Sequence, residues 1–364
     1  MSKIITCEQV SRGHVDKICD QIADAIVTDC IRHDPGSRVA VECLFKNDTV
    51  SIAGEITSKH EPDYVALVCD VFEKIGIIDQ YEMLNVDVNV TQQSADIARG
   101  VNKGGAGDQG VMYGYATNET PELLPIPFAV ATRFLHLLRM MKFPMLLPDA
   151  KAQVSYDYET GRITTFLCSV QHAEGICVKS LREDVAHLMK LVAAYYDLNT
   201  DFEVLINPTG KFVIGGSFAD CGVTGRKLAC DTYGGVGRIG GGALSGKDPS
   251  KVDRSGAYMA RKIARDLVTA GYCDKCEVQI AYAIGKAEPV SVTLDTFGTE
   301  KCCKECLESY VLETYDFTPR GIISYLHLLD VDYGDVAFEG HFGKKWLPWE
   351  MDDEDIKDVF EEKE

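Results

Sequence analysis

Gly240-Gly241-Gly242-Ala243-Leu244-Ser245-Gly246-Lys247-Asp248-Pro249-Ser250-Lys251-Val252-Asp253-Arg254-Ser255 is the stretch from which the rest of the chain can be read. Three glycines and a fourth at Gly246 let the backbone turn sharply and bring bare N–H groups close to a ligand. Asp248-Pro249 reads as an N-cap followed by proline in the first helical turn. The helix predicted from there runs to about Leu267, with Met259, Ile263 and Leu267 on its buried stripe, and stops at Gly271. A glycine loop that feeds a helix N-terminus is a ready anion site. Lys247 and Lys251, one turn apart, add two ammonium groups, and Asp253 adds a carboxylate. Together these are the parts of a metal–phosphate site.

Gly241 to Lys247 also fits the P-loop pattern, which needs Ser or Thr next to hold magnesium, whereas this chain has Asp248. No apolar strand precedes the glycines, because Tyr233-Gly234-Gly235-Val236-Gly237-Arg238 is loop-like. Both context tests fail, so a P-loop is set aside. The plainer alternative, a surface loop before an ordinary amphipathic helix, stays open on this stretch alone.

With 364 residues the chain exceeds the usual ceiling for one core, and two or three domains are expected. The net charge of −19 argues against nucleic acid and anionic membrane as partners. An acidic protein that binds a polyphosphate must gather cations locally. Between Lys211 and Arg254 it does so with Lys211, Arg226, Lys227, Arg238, Lys247, Lys251 and Arg254. No signal peptide or long apolar run is evident, so a cytoplasmic protein is expected, with its 14 cysteines as free thiols. Cys273-x-x-Cys276 and Cys303-x-x-Cys306 have zinc-like spacing, but Cys276 enters a strand and Cys306 lies on a helix, which argues against a zinc knuckle.

In chain order, Ile18, Ile22, Ala25 and Ile26 repeat at helical spacing, predicting a helix from about His14 to Ile31 with His14 and Asp16 in its first turn. Arg38 to Phe45 and Thr49 to Ile56 alternate about Lys46-Asn47-Asp48 and read as a hairpin carrying Glu42 and Glu55. Gln93 to Gly110, rich in glycine, reads as an active-site loop ending on a turn that presents Asp108. A strand is expected to start near Pro148 with Lys151 at its mouth. Further strands follow at Thr164 to Gln171, Val278 to Ile284 and Val290 to Asp295. Helices are expected at Asp63 to Ile75, Pro127 to Met141, Lys179 to Tyr195 and Lys304 to Tyr315. Phe342 to Trp349 makes an aromatic knot, and Met351 to Glu364 reads as a frayed acidic tail.

Lys151, Lys211, Arg226, Lys227, Lys247 and Lys251 suit a highly charged leaving group. Asp16, Glu42, Glu55, Asp108, Asp220 and Asp253 suit hard cations and positive substrate groups. Residue chemistry alone therefore leads to a magnesium-dependent enzyme using a nucleoside polyphosphate, with the second substrate unnamed.

Gly13-His14-x-Asp16-Lys17, Gly105-Ala106-Gly107-Asp108-Gln109-Gly110 and Gly240-Gly241-Gly242-Ala243-x-Ser245-Gly246-Lys247-Asp248 closely resemble the signatures of the S-adenosylmethionine synthetases. The resemblance continues through Gly54-Glu55-Ile56-Thr57, Pro148-Asp149-Ala150-Lys151, Asn207-Pro208-Thr209-Gly210, Asp231-Thr232-Tyr233-Gly234-Gly235 and Gly340-His341-Phe342-Gly343, in the family's order. It implies an α+β fold of three similar β/α lobes around a pseudo-threefold axis, with the active site at a dimer interface. The lobes would fall at 1–97, 109–222 and 223–350, with a mobile loop at 98–108 and a tail at 351–364.

The implied reaction is attack of methionine sulfur on C5′ of ATP, release of tripolyphosphate, and its hydrolysis to pyrophosphate and phosphate. The resemblance makes His14, Lys151 and Lys247 catalytic. It gives ATP to Glu8, His14, Asp149, Lys151, Lys211, Phe212, Asp220, Arg226, Lys227, Ala243 and Lys247. Methionine would meet Glu55, Arg99, Asp220 and Lys251, with Asp108 in the loop. Two Mg²⁺ ions per site would use Asp16 and Asp253, and K⁺ would use Glu42. The partners implied are ATP, L-methionine and further copies of the chain, as a dimer or a dimer of dimers.

Some positions depart from the family pattern. Arg99 replaces a glutamine that contacts methionine, and the segment between Val101 and Gly105 is shorter. Arg12 and Val15 stand for glutamate and proline, Leu244 for phenylalanine and Ile239 for histidine. None of these removes a phosphate or metal ligand. Another ATP-using enzyme on the same scaffold, or a non-catalytic subunit, is the rival reading. The first is separated by whether methionine is consumed, and the second by loss of charged site residues, which are present here.

Overall fold

The computed structural model describes residues 3–81, 83–93, 104–141, 143 and 145–360. Three sheets, each backed by a long helix, build the molecule. The first contains β2 (Arg38–Lys46), β3 (Thr49–Thr57), β4 (Asn85–Thr91) and the short β9 (Gly222–Val223). Its buried face, Val39, Val41, Cys43 and Phe45, packs on α1 (Val15–His33). Strict alternation along β2 dictates this, because odd positions are apolar and even positions face outward. α2 (Tyr64–Ile75) closes the same lobe, capped by Asp63 and ended by Gly76 in the left-handed conformation.

A second sheet runs β1 (Ile4–Val10), β6 (Leu146–Asp157), β7 (Arg162–His172) and β8 (Glu203–Ile206), with α3 (Ile126–Met140) and α4 (Val178–Tyr195) against it. The third places β10 (Lys275–Tyr282) between β5 (Gly110–Thr117) and β11 (Ser291–Asp295), with α5 (Val252–Thr269) across it. Each sheet therefore borrows a strand from elsewhere in the chain. β1 pairs antiparallel with β6, β5 with β10, and β9 with β2. One hydrophobic core runs through the first and third sheets, and a separate one fills the second between Phe134, Phe166 and Met189.

Three expectations are corrected. Asp248 does not cap α5. Its carboxylate accepts from the N–H of Val39 and of Ser250, Lys251 occupies the cap position without a side-chain bond, and the helix begins at Val252. Lys151 is not at a strand mouth but inside β6, opposite Val10 and Ser169, because the strand begins at Leu146 and bulges before Ala150. The acidic end is not frayed throughout. α6 (Lys304–Thr314) and α7 (Pro319–Tyr325) are followed by α8 (Asp353–Phe360), which buries Ile356 and sets Asp353 on Lys262 and Tyr325. The aromatic knot is built around α5, where Trp349 stacks on Tyr258 at 3.6 Å and Phe342 on Tyr233.

Candidate active site

The site is organised by a feature the sequence reading missed. Asp16, Asp20 and Asp24 lie at four-residue intervals on α1, so they form one stripe along about 12 Å of helix. All three are buried. Each accepts a backbone N–H from the loops that cross the helix. Val223 donates to Asp16 at 2.9 Å, Gly225 to Asp20 at 2.8 Å and Gly246 to Asp24 at 2.8 Å. Each carboxylate is also matched by a cation. Lys227 meets Asp16 at 2.6 Å, Lys17 meets Asp20 at 2.9 Å, and Arg254 pairs with Asp24 inside the core. Burying three carboxylates is eased by one N–H and one cation for each, while Asp20 Oδ2 and Asp24 Oδ2 accept no hydrogen bond among the described residues.

The ladder docks two loops onto the free edge of β2. Thr224 exchanges bonds with Cys43 at one end, and Gly246, Lys247 and Asp248 lie against Val39 to Val41 at the other. The two loops touch each other. A Cβ placed on Gly225 would sit 2.5 Å from that of Ala243. This contact joins the loop that carries Arg226 and Lys227 to the loop that carries Lys247. Backbone pairing makes Lys247 the next member of a cross-strand row, with Ala40 facing Lys247 on one side and Glu55 on the other. Directly opposed residues share a sheet face. On the face away from α1, Ala40 therefore stands between Glu55 and Lys247 in the row, and Glu42 sits two residues along β2.

At the N-terminus of α1, His14 is the cap residue, its Nδ1 accepting from the Asp16 N–H at 3.2 Å. Burial first, then Lys227 and Lys151, push its imidazole down to about 4, so the ring is neutral at neutral pH. Asp16 is buried too, yet the Lys227 bond and the Val223 N–H hold it below its ordinary value. An unfolded chain protonates His14 near pH 6.5 and the folded one only near 4, so stability present above that window is lost as pH falls through it. His14→Asn should flatten this part of the curve, as checked by urea midpoints across the same window. An unchanged acid limb would contradict the burial account.

Lys247 Nζ meets Asp253 at 2.5 Å, with both side chains about one-fifth exposed. Gly242 is required there, because a Cβ on it would fall 2.2 Å from the Asp253 carboxyl carbon. Gly242→Ala must displace Asp253 and with it Lys247. A misplacement near 1 Å costs roughly 100-fold in rate, and steady-state kcat should fall on that scale. Wild-type kcat would show that this pair is not placed for chemistry. Beneath the loop the cavity is only about 20 Å³, bounded by Tyr113, Leu228 and Asp253.

The other expected residues fall as follows. Asp220, exposed, and Lys151 are close enough to act electrostatically on His14. Asp149 accepts from Gly216 N–H at 2.9 Å, and burial raises its pKa. Phe212 is tied by its backbone to His172, beside an exposed Lys211. Glu8 is exposed on β1 opposite Gln153. Lys251 stands 3.3 Å from Asp248, its buried ammonium otherwise without a hydrogen bond among the described residues. Asp108 is exposed and bonds its neighbour's N–H, on a turn locked by Ala106 against Gly285 and Lys286. Arg99 and residues 98–103 of the expected mobile loop lie outside the described residues. Lys17 and Asp231, within two of the recognisable motifs, form a buried pair beside His341 and act as scaffold.

The cysteine pairs have local roles. Cys303 caps α6 by accepting from Cys306, and Cys276 is buried within β10. No helix among the described residues is long and apolar enough to cross a membrane.

The chain is similar to known proteins over nearly its whole length. Residues 2–95, 103–212 and 214–351 match the models for the N-terminal, central and C-terminal domains of S-adenosylmethionine synthetase. An S-adenosylmethionine synthase of Mesoplasma florum is 45% identical over 368 residues, spanning 96% of this chain and 98% of that protein. The enzyme is a methionine adenosyltransferase acting on ATP and methionine, and the chain belongs to the S-adenosylmethionine synthetase family.

Proposed function

We propose that methionine sulfur attacks C5′ of ATP in line with the departing triphosphate, on the open sheet face that carries Glu55, Ala40 and Lys247. The observation that carries this is the contact of the two cationic loops beside that row. Negative charge grows on the leaving oxygen and positive charge on sulfur. Lys151, Lys211, Arg226, Lys227 and Lys247 serve the first, Glu55 and Asp220 the second. A thioether carries no proton to remove, so no general base is needed. The chain's task is alignment and charge matching. His14 donates to the leaving oxygen. The triphosphate's own charge offsets the two lysines that, after burial, hold the imidazole neutral, and so favours its protonated form.

Asp149 and Ala243 line the nucleotide, with Glu8 and Phe212 around the adenosine. Lys251, whose buried ammonium has hydrogen bonds to spare, and Arg99 take the methionine carboxylate.

The family uses metal ions. Asp16 and Asp253 fit magnesium on the phosphates, since each is a carboxylate already sharing its site with a lysine that a phosphate oxygen can engage instead. Magnesium, when bound, neutralises phosphate charge and orients the leaving group. Glu42, one exposed carboxylate, serves potassium once other ligands join it. The shallow, open surface supports closure of each site by a second copy, in a dimer or dimer of dimers. Buried neutral thiols support work in the reducing cytoplasm.

Mass spectrometry of a mixture with ATP, methionine, Mg²⁺ and K⁺ tests the reaction. S-adenosylmethionine should appear with equal pyrophosphate and phosphate, and both should vanish on chelation of Mg²⁺. Phosphate release without a sulfonium product would instead identify a polyphosphatase.

A further inference from the structure

The last turn of α1 and the segment after β3 bring three metal-capable side chains together, away from the residues described above. Asp29, His33 and His60 each offer one ligand atom, and these atoms lie within 4.8 Å of one another. Asp29 and His33 are four apart on the helix and share a face. His60 comes from a loop that is locked in place. Ser58 bonds Ser37 at 2.8 Å, Lys59 N–H donates to Asp34 at 3.0 Å, and His60 N–H donates to Ser58 at 3.0 Å.

The hydrogen bonds point the same way. His33 Nδ1 lies 2.9 Å from the Asp29 carbonyl oxygen, an acceptor only, and 3.3 Å from Asp29 Oδ1, so in the neutral ring Nδ1 carries the hydrogen and Nε2 is the nitrogen left to bind an ion. His60 Nε2 shares a proton with Asp29 Oδ2 across 2.7 Å. The two imidazoles lie nearly parallel at 4.0 Å. Two imidazole nitrogens and one carboxylate are the donor set of zinc and its first-row neighbours, not of magnesium or potassium. Asp29 and His60 are half-buried and His33 exposed, so an ion can enter from solvent.

We propose that Asp29, His33 and His60 form a binding site for a zinc-class divalent transition-metal ion that clamps the end of α1 to the loop after β3. The ion replaces the proton between His60 and Asp29, which is released to solvent, and His33 Nε2 and water complete the shell.

The test uses the full-length chain, stripped with chelator and returned to excess Mg²⁺ so that all-oxygen sites are filled. Co²⁺ and Zn²⁺ are then titrated. One equivalent of Co²⁺ should bind with visible bands of nitrogen–oxygen ligation, lacking the near-ultraviolet charge-transfer bands of thiolates, and Zn²⁺ should raise the thermal midpoint. His60→Ala should weaken binding by more than roughly tenfold and remove the thermal shift. Asp29→Asn supplies a near-isosteric second variant should His60→Ala fold poorly. Failure of wild type to bind, thiolate bands alone, or unchanged affinity in both variants would overturn the proposal.

Discussion

Lys247→Ala is expected to lower kcat by roughly 100-fold or more while the far-ultraviolet circular dichroism stays that of wild type. What docks the loop at this position is backbone. The N–H and C=O groups around Lys247 lie against Val39 to Val41, and Gly246 hangs on Asp24, so removing the side chain leaves the loop anchored. The partner left behind, Asp253, is about one-fifth exposed and can hydrate. On the proposed mechanism, what is lost is an ammonium that meets the leaving group's charge, at a surface whose other cations, Arg226 and Lys227, are placed by a different loop. Steady-state kinetics and circular dichroism check both halves. Wild-type kcat in a folded variant would remove Lys247 from the phosphate site.

The largest effect on stability is expected at Arg254. Its guanidinium and the Asp24 carboxylate are both fully buried, and it also covers the Tyr333 ring at 4.4 Å and donates to Tyr258 at 3.1 Å. Removing one member of such a pair leaves an uncompensated buried charge, at a cost of about 3–5 kcal/mol. Arg254→Met should therefore show a urea midpoint lower by that equivalent. Adding Asp24→Asn should recover part of the loss, because Asn keeps the acceptor for Gly246 N–H without the charge. A single variant as stable as wild type would mean that the ladder on α1 is decoration. A double variant no better than the single would place the cost in lost packing rather than in charge.

Much of the local structure was legible because hydrophobic period and burial agree. Val39, Val41, Cys43 and Phe45 alternate inward as the hairpin requires, and Met259, Ile263 and Leu267 do face the core. The site residues were nameable because glycine, lysine and aspartate cluster in short motifs. The arrangement was not. Asp16, Asp20 and Asp24 look like a solvated helix face, and only the near-absence of exposed basic partners among residues 15–28 hints that they point inward. Asp248 reads as a cap by type and position, yet a strand edge competed for its carboxylate and won. Borrowed strands such as β1 beside β6 depend on pairing across about 150 residues of sequence, which no local pattern records. Arg12, absent from every expected site, sits over the Phe338 ring at 4.9 Å, a contact that residue type alone does not disclose.

The central claim is that the whole triphosphate leaves C5′ when sulfur attacks, with the two docked loops receiving it. A rapid-quench single turnover with ATP labelled at the α-phosphorus tests this most directly. The label should appear first in tripolyphosphate and then in its hydrolysis products, in step with S-adenosylmethionine, and not in ADP or AMP. Label in ADP or AMP, with or without a sulfonium product, would contradict the account, because the bond broken would then lie between phosphates and not at carbon.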